Sequence, residues 1–85
     1  MENIEQEENK MPVVPMEDRL RFILGMRIHA ARRKLGISQI EFGRKMKTSN
    51  VTICRWETGK IDPSALQLWK ISKLVKQDIN WFYEP

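Results

Sequence analysis

Residues 38–59 read Ser-Gln-Ile-Glu-Phe-Gly-Arg-Lys-Met-Lys-Thr-Ser-Asn-Val-Thr-Ile-Cys-Arg-Trp-Glu-Thr-Gly, and this stretch decides the fold. Ser38-Gln39-Ile40-Glu41 has the S-x-x-E form of a capping box, in which the Ser side chain and the Glu side chain each satisfy a backbone N–H at a helix start. The helix that follows carries Phe42 and Met46 inward, with Gly43 between them where a close neighbour excludes a side chain. Lys45-Met46-Lys47 leads into Thr48-Ser49, and either hydroxyl can cap a second helix. That helix runs over about 50–57 and stops at Thr58-Gly59. Two short helices joined by a tight turn make a helix-turn-helix over about 38–57.

The second helix has two chemically different sides. At about 100° per residue, an arc of roughly 140° starting at Asn50 contains Val51, Cys54, Arg55 and Thr58. Thr52, Ile53, Trp56 and Glu57 fall on the other side, so Ile53 and Trp56 are candidates for the core. The outward set is the kind that reads base edges: Asn pairs bidentately with adenine, Arg with guanine, and Val meets a thymine methyl. The bland alternative is a solvated helix face.

Upstream, Leu24, Ile28, Ala31 and Leu35 recur at helical spacing and share one face. Glu17 and Asp18 suit the start of that helix, and Gly36 suits its end. It is expected over about 17–35. Downstream, Lys60-Ile61-Asp62-Pro63 is a loop and Pro63-Ser64 opens another helix. Leu68, Ile71 and Val75 form its stripe, with Trp69 partly exposed. Ile79, Trp81 and Phe82 are expected to close the core in a last turn, and Tyr83 to cover its edge or meet a second copy. His29 lies beside the first stripe and is expected to be an exposed polar residue. Nothing alternates as a strand would. The chain is read as all-α, with four to five helices in one compact domain over 17–85, after an acidic, disordered tail over 1–16.

The chain has 85 residues, 41% apolar and 31% charged. That is room for one small domain. No apolar run approaches the roughly 18 residues of a membrane span. One Cys and one His cannot build a structural zinc site, which takes about four ligands. No Gly-rich phosphate loop and no acid-base or nucleophile constellation appears, so no cofactor, no metal and no enzyme activity is expected. The net charge of +4 hides a split: residues 1–18 carry six acids against Lys10, a net −5, while residues 19–85 carry fourteen Lys and Arg against five acids, a net +9. A body so basic has the footprint of a polyanion binder. The absence of a signal peptide and the single Cys suit the cytoplasm.

The stretch Leu35-Gly36-Ile37-Ser38-Gln39-Ile40-Glu41-Phe42, then Thr48 to Ile53, then Trp56-Glu57-Thr58-Gly59-Lys60, resembles the Cro/λ-repressor (XRE) type of helix-turn-helix. The downstream Pro63, Leu68, Ile71 and Asp78 to Phe82 are similar to that family's last two helices, so the resemblance covers about 27–83. It implies a λ-repressor-like fold and several residue roles. Asn50, Val51 and Arg55 match base-reading positions. Ser49 matches a position that touches sugar, phosphate or a base edge. Gln39 matches a phosphate-contacting, helix-capping glutamine, and Thr58 and Lys60 a loop lying along the DNA backbone. Arg32 and Glu57 match a buried ion pair. The chain departs from the family at two turns, where Lys47 and Lys76 replace the usual Gly. Each costs roughly 1 kcal/mol in a left-handed conformation.

The resulting expectation is sequence-specific binding of duplex DNA in the major groove by a transcriptional regulator of repressor type, located in the cytoplasm on the nucleoid. Gln39, Arg44, Lys47, Thr58 and Lys60 would hold phosphates, and Asn50, Val51, Arg55 and Ser49 would read bases. A homodimer on DNA is expected, because one helix covers few base pairs. The rival reading is a protein-interaction module, such as an antitoxin or phage accessory factor, that holds a protein partner through the C-terminal aromatics Trp69, Trp81 and Tyr83.

Overall fold

The computed structural model describes residues 15–84. Residues 1–14 of the expected acidic tail lie outside them. In order come α1 (Met16–Leu35), α2 (Gln39–Met46), α3 (Asn50–Glu57), α4 (Ala65–Val75) and a 3-10 helix (Ile79–Tyr83), with no strand among the described residues. Met16, assigned from sequence to the tail, is the first helical residue, since Pro15 fits the position just before a helix.

Each boundary has a local cause. α1 ends at Gly36, which takes φ 75° and ψ 25° and returns its N–H to the Arg32 and Arg33 carbonyls. Ser38 then caps α2, its hydroxyl accepting from the Glu41 N–H at 3.0 Å. Of the two hydroxyls before α3, Ser49 is the cap, accepting from the Thr52 N–H at 3.1 Å. The turn between α2 and α3 is closed by Lys47 at φ 58° and ψ 45°, and α4 ends on Lys76 at φ 59° and ψ 46°. Both lysines therefore hold the left-handed conformation that glycine adopts at less cost. The full reciprocal capping box is at α4: Gln67 N–H donates to Ser64 Oγ, and Ser64 N–H donates to Gln67 Oε1.

The core is built by one face of each helix: Leu24, Ile28 and Ala31 of α1, Phe42 and Met46 of α2, Ile53 and Trp56 of α3, Leu68 and Ile71 of α4, and Phe82. Burying such side chains supplies about 1.5–3 kcal/mol each before entropy is charged against it. Two expected core residues are not in it. Leu35 is 40% exposed. It shares the face of Leu24 and Ile28, but α1 outruns the core, and Leu35 lines a surface groove with Val75, Gln77 and Trp81. Ile79 is also 40% exposed, because only the last turn of the 3-10 helix docks, with Phe82 fully buried. Val75 and Trp81 are half-buried against the core.

Two glycines let helices approach. A Cβ on Gly43 would lie 2.8 Å from the Thr48 carbonyl oxygen, which confirms the excluded side chain inferred there. A Cβ on Gly25, buried in α1, would lie 2.5 Å from the Trp56 carbonyl oxygen. α1 thus packs its backbone directly on the C-terminal end of α3.

Candidate nucleic-acid interface

α3 is oriented by what it buries. Ile53 and Trp56 are locked in the core, so Asn50, Val51, Cys54 and Arg55 are exposed together. Thr58, Lys60 and Ile61 of the following loop and Gln39 at the start of α2 complete one concave surface with them. It brings together the Arg55 and Lys60 cations, the Asn50 amide and the Val51 methyls. Donors, a cation and an apolar contact on one helix face are the chemistry that major-groove base edges call for. Ile61, 41% exposed, was not singled out from sequence. Its signal is an apolar residue in an otherwise polar loop.

Some of the residues assigned to DNA are already engaged. The Ser49 hydroxyl accepts from the Thr52 N–H and donates to Thr52 Oγ1 at 3.2 Å, so its hydrogen serves the helix cap. The Thr58 hydroxyl donates to the Cys54 carbonyl at 2.8 Å. Arg44, Lys47 and Ser49 are exposed but lie outside the concave surface, around the α2–α3 turn.

Behind the surface, three helices meet at Glu57. Arg32 of α1 donates from Nε to Glu57 Oε2 at 2.6 Å and from Nη2 to Oε1 at 3.1 Å, while its Nη1 donates to the Ile37 carbonyl at 2.8 Å. Gln39 Nε2 donates to Glu57 Oε1 at 3.1 Å, and His29 Nδ1 lies 2.9 Å from the same oxygen. The Glu57 side chain is only 3% exposed. Burial pushes its carboxyl up, but hydrogen bonds from Arg32, His29 and Gln39 and the Arg32 charge outweigh burial and bring it below its ordinary value of 4.5. His29 is about half exposed, yet it is a partner of Glu57 rather than a free polar residue. Sequence gave no sign of this, because the contact spans α1 and α3. One consequence bears on the interface: Gln39 enters the concave surface already held from behind.

The fold and this surface define a class. A helix-turn-helix family model matches residues 28–82, and the chain belongs to that family, of the Cro/λ-repressor (XRE) type. Among curated relatives, it is 37% identical over 54 residues to repressor protein C2 of Salmonella phage P22, covering 64% of this chain and 25% of that protein. It is 29% identical over 58 residues to the HTH-type transcriptional regulator DicA of Escherichia coli K12, covering 68% of this chain and 43% of DicA. The chain therefore spans a quarter to less than half of the length of these relatives. Among solved structures, the P22 c2 repressor in complex with a synthetic operator matches with a TM-score of 0.67 at 33% identity, over 72% of this chain and 92% of that one. A hypothetical transcription factor, NHTF from Neisseria, shares the fold with a TM-score of 0.71 at 19% identity, over 88% and 86% of the two chains. Among the described residues, no helix is long and apolar enough to cross a membrane.

Proposed function

We propose that the chain is a DNA-binding transcriptional repressor that reads duplex DNA in the major groove with α3. The observation that carries this reading is the convergence of Asn50, Val51, Arg55, Gln39 and Lys60 on one exposed concave surface, in a fold like that of the operator-bound P22 c2 repressor. Asn50, Val51 and Arg55 contact base edges, and Cys54 lies between them. Gln39, Lys60, Arg44 and Lys47 hold phosphates. Ser49 and Thr58, whose hydroxyl hydrogens serve α3, offer only oxygen lone pairs and assist through their neighbours. Two copies bind one operator, in the cytoplasm on the nucleoid.

The experiment is selection of bound duplexes from a random pool at low and high salt. A palindromic enriched motif with steep salt dependence supports the proposal. Binding without a motif reduces the chain to a non-specific cation. Loss of binding at both salts favours the second reading, a protein partner held by exposed aromatics. That reading draws on Trp69, 51% exposed beside Leu66 at 61%, and on Tyr83 at 45%.

A further inference from the structure

The chain enters α1 beside the surface assigned to DNA. On one side of α1, Phe22 and Ile23 form a mostly apolar groove with Asp18, Arg19, Thr58 and Gly59. Phe22 is 58% exposed. The loop is held close against it: a Cβ on Gly59 would lie 3.4 Å from the Phe22 Cα, and Arg21 Nε donates to Asp62 Oδ1 at 3.0 Å. Thr58 also lines the concave surface with Asn50, Arg55 and Lys60. The groove and the DNA-facing surface therefore share a wall.

Residues 1–14, just upstream, end in Met11-Pro12-Val13-Val14 and carry Glu2, Glu5, Glu7 and Glu8 against Lys10. Outward from the fold the order is apolar, then acidic. Outward from Pro15 the surface offers the complementary order. The Phe22 groove comes first, about 10 Å along α1 at roughly 1.5 Å per residue. Thr58, Lys60 and Arg55 come next. An extended run of that length reaches about 46 Å, so length is not limiting.

We propose that residues 1–14 fold back onto this face, with Met11 to Val14 against the Phe22 groove and the glutamates over Lys60 and Arg55. The segment is then a competitor of DNA carried by the chain itself. The inference rests on the reading of that surface as DNA-facing. Tethering gives the segment an effective concentration on the order of millimolar, enough for a weak contact to be occupied. Its carboxylates stand where phosphates would. Asp18, which also lines the groove, is itself paired with Arg21 at 3.1 Å. Weak, non-specific DNA is excluded, whereas a cognate site, with base contacts added to the phosphate contacts, displaces the segment.

The test uses the full chain in three forms: unchanged, with Glu2, Glu5, Glu7 and Glu8 all replaced by Gln, and with Phe22→Ala, a change at an exposed position that leaves the core intact. Without DNA, the four-Gln form is expected to shift the amide NMR signals of Phe22, Thr58, Gly59 and Lys60. Salt at about 0.5 M is expected to shift the same signals in the unchanged chain. With a non-operator duplex at about 50 mM salt, the four-Gln form is expected to bind about tenfold more tightly, with the gap closing as salt rises. Phe22→Ala is expected to move affinity the same way. Identical amide spectra overturn the contact, even if the four-Gln form binds DNA more tightly, since that pattern is long-range repulsion alone. If no form binds any duplex while the amide shifts persist, the contact stands, and its role as a competitor falls together with the DNA reading.

Discussion

Glu57 shows how one buried carboxylate ties α3 to the rest of the molecule. Its oxygens take donors from α1, through Arg32 and His29, and from α2, through Gln39. Removing Arg32 would leave the charge buried without its main partner. Arg32→Ala is therefore expected to cost about 3–5 kcal/mol in urea unfolding at neutral pH. The pH dependence has a definite sign. The folded carboxyl titrates below its ordinary value of 4.5, so its stabilisation is present above pH 4.5 and is lost as pH falls through the folded pKa. Urea midpoints measured from pH 6 down to about 2.5 should fall in the unchanged chain. In Glu57→Gln they should start lower and lose less over the same range. On the outer side of the same helix, Arg55→Ala is expected to cost about 1–3 kcal/mol on the cognate duplex and relax one base position. Lys60→Ala should weaken every duplex and flatten the salt slope by about one. Equal losses across all duplexes for Arg55→Ala would contradict its role as a base reader. At this scale the sequence was legible on α3, where a wheel separates the two sides. It was blind to His29 and to the Gln39–Glu57 bond, because donors from two helices converge on a carboxylate of a third only once the helices have packed.

The helices are individually short, so their ends and crossings matter as much as their faces. α2 and α3 have eight residues each, about 12 Å, too short to hold their shape in water alone. Ser38, Ser49 and Ser64 cap their starts, and Gly36, Lys47 and Lys76 turn the chain after α1, α2 and α4. Lys47→Gly and Lys76→Gly relieve a left-handed backbone and are each expected to raise stability by about 1 kcal/mol, read from urea midpoints. Only Lys47→Gly should also weaken DNA binding, because it removes a cation beside α3, so Lys76→Gly serves as its control. Gly25→Ala is expected to act in the opposite direction. Its Cβ would meet a main-chain oxygen at 2.5 Å that cannot move without displacing Trp56, and overpacking of this kind costs about 1–3 kcal/mol or more. The caps were legible because their chemistry is local, whereas the turns at Lys47 and Lys76 were marked only by the family resemblance. The fit at Gly25 was not, since nothing in the neighbouring residues marks the place where another helix crosses. The capping box at Ser64 and Gln67 is equally local, with Gln in place of the commoner Glu.

At the scale of the whole molecule, the proposed function needs more than one chain. As a recognition helix, the eight-residue α3 would touch about four base pairs, and a site so short recurs too often to define an operator. The architecture was legible from apolar periodicity, because one stripe on each helix suffices to enclose a core. The periphery was less so: Leu35 and Ile79 follow the pattern but are each only partly covered, 40% exposed. Periodicity marks the face a helix can bury and is silent about how much of its length is covered. Any pairing of two copies would draw on that periphery and on the DNA between them. If two chains occupy one operator, their recognition helices must enter the groove on one side of the duplex, about 34 Å or one helical turn apart. Inserting about 5 base pairs between half-sites should then rotate the second site to the opposite side and reduce affinity to that of a single half-site. Inserting about 10 should restore the facing but stretch the contact between copies, recovering affinity only in part. Fluorescence anisotropy on the three duplexes measures this directly. Equal affinity for all three would mean that the copies bind independently and that specificity rests on one helix.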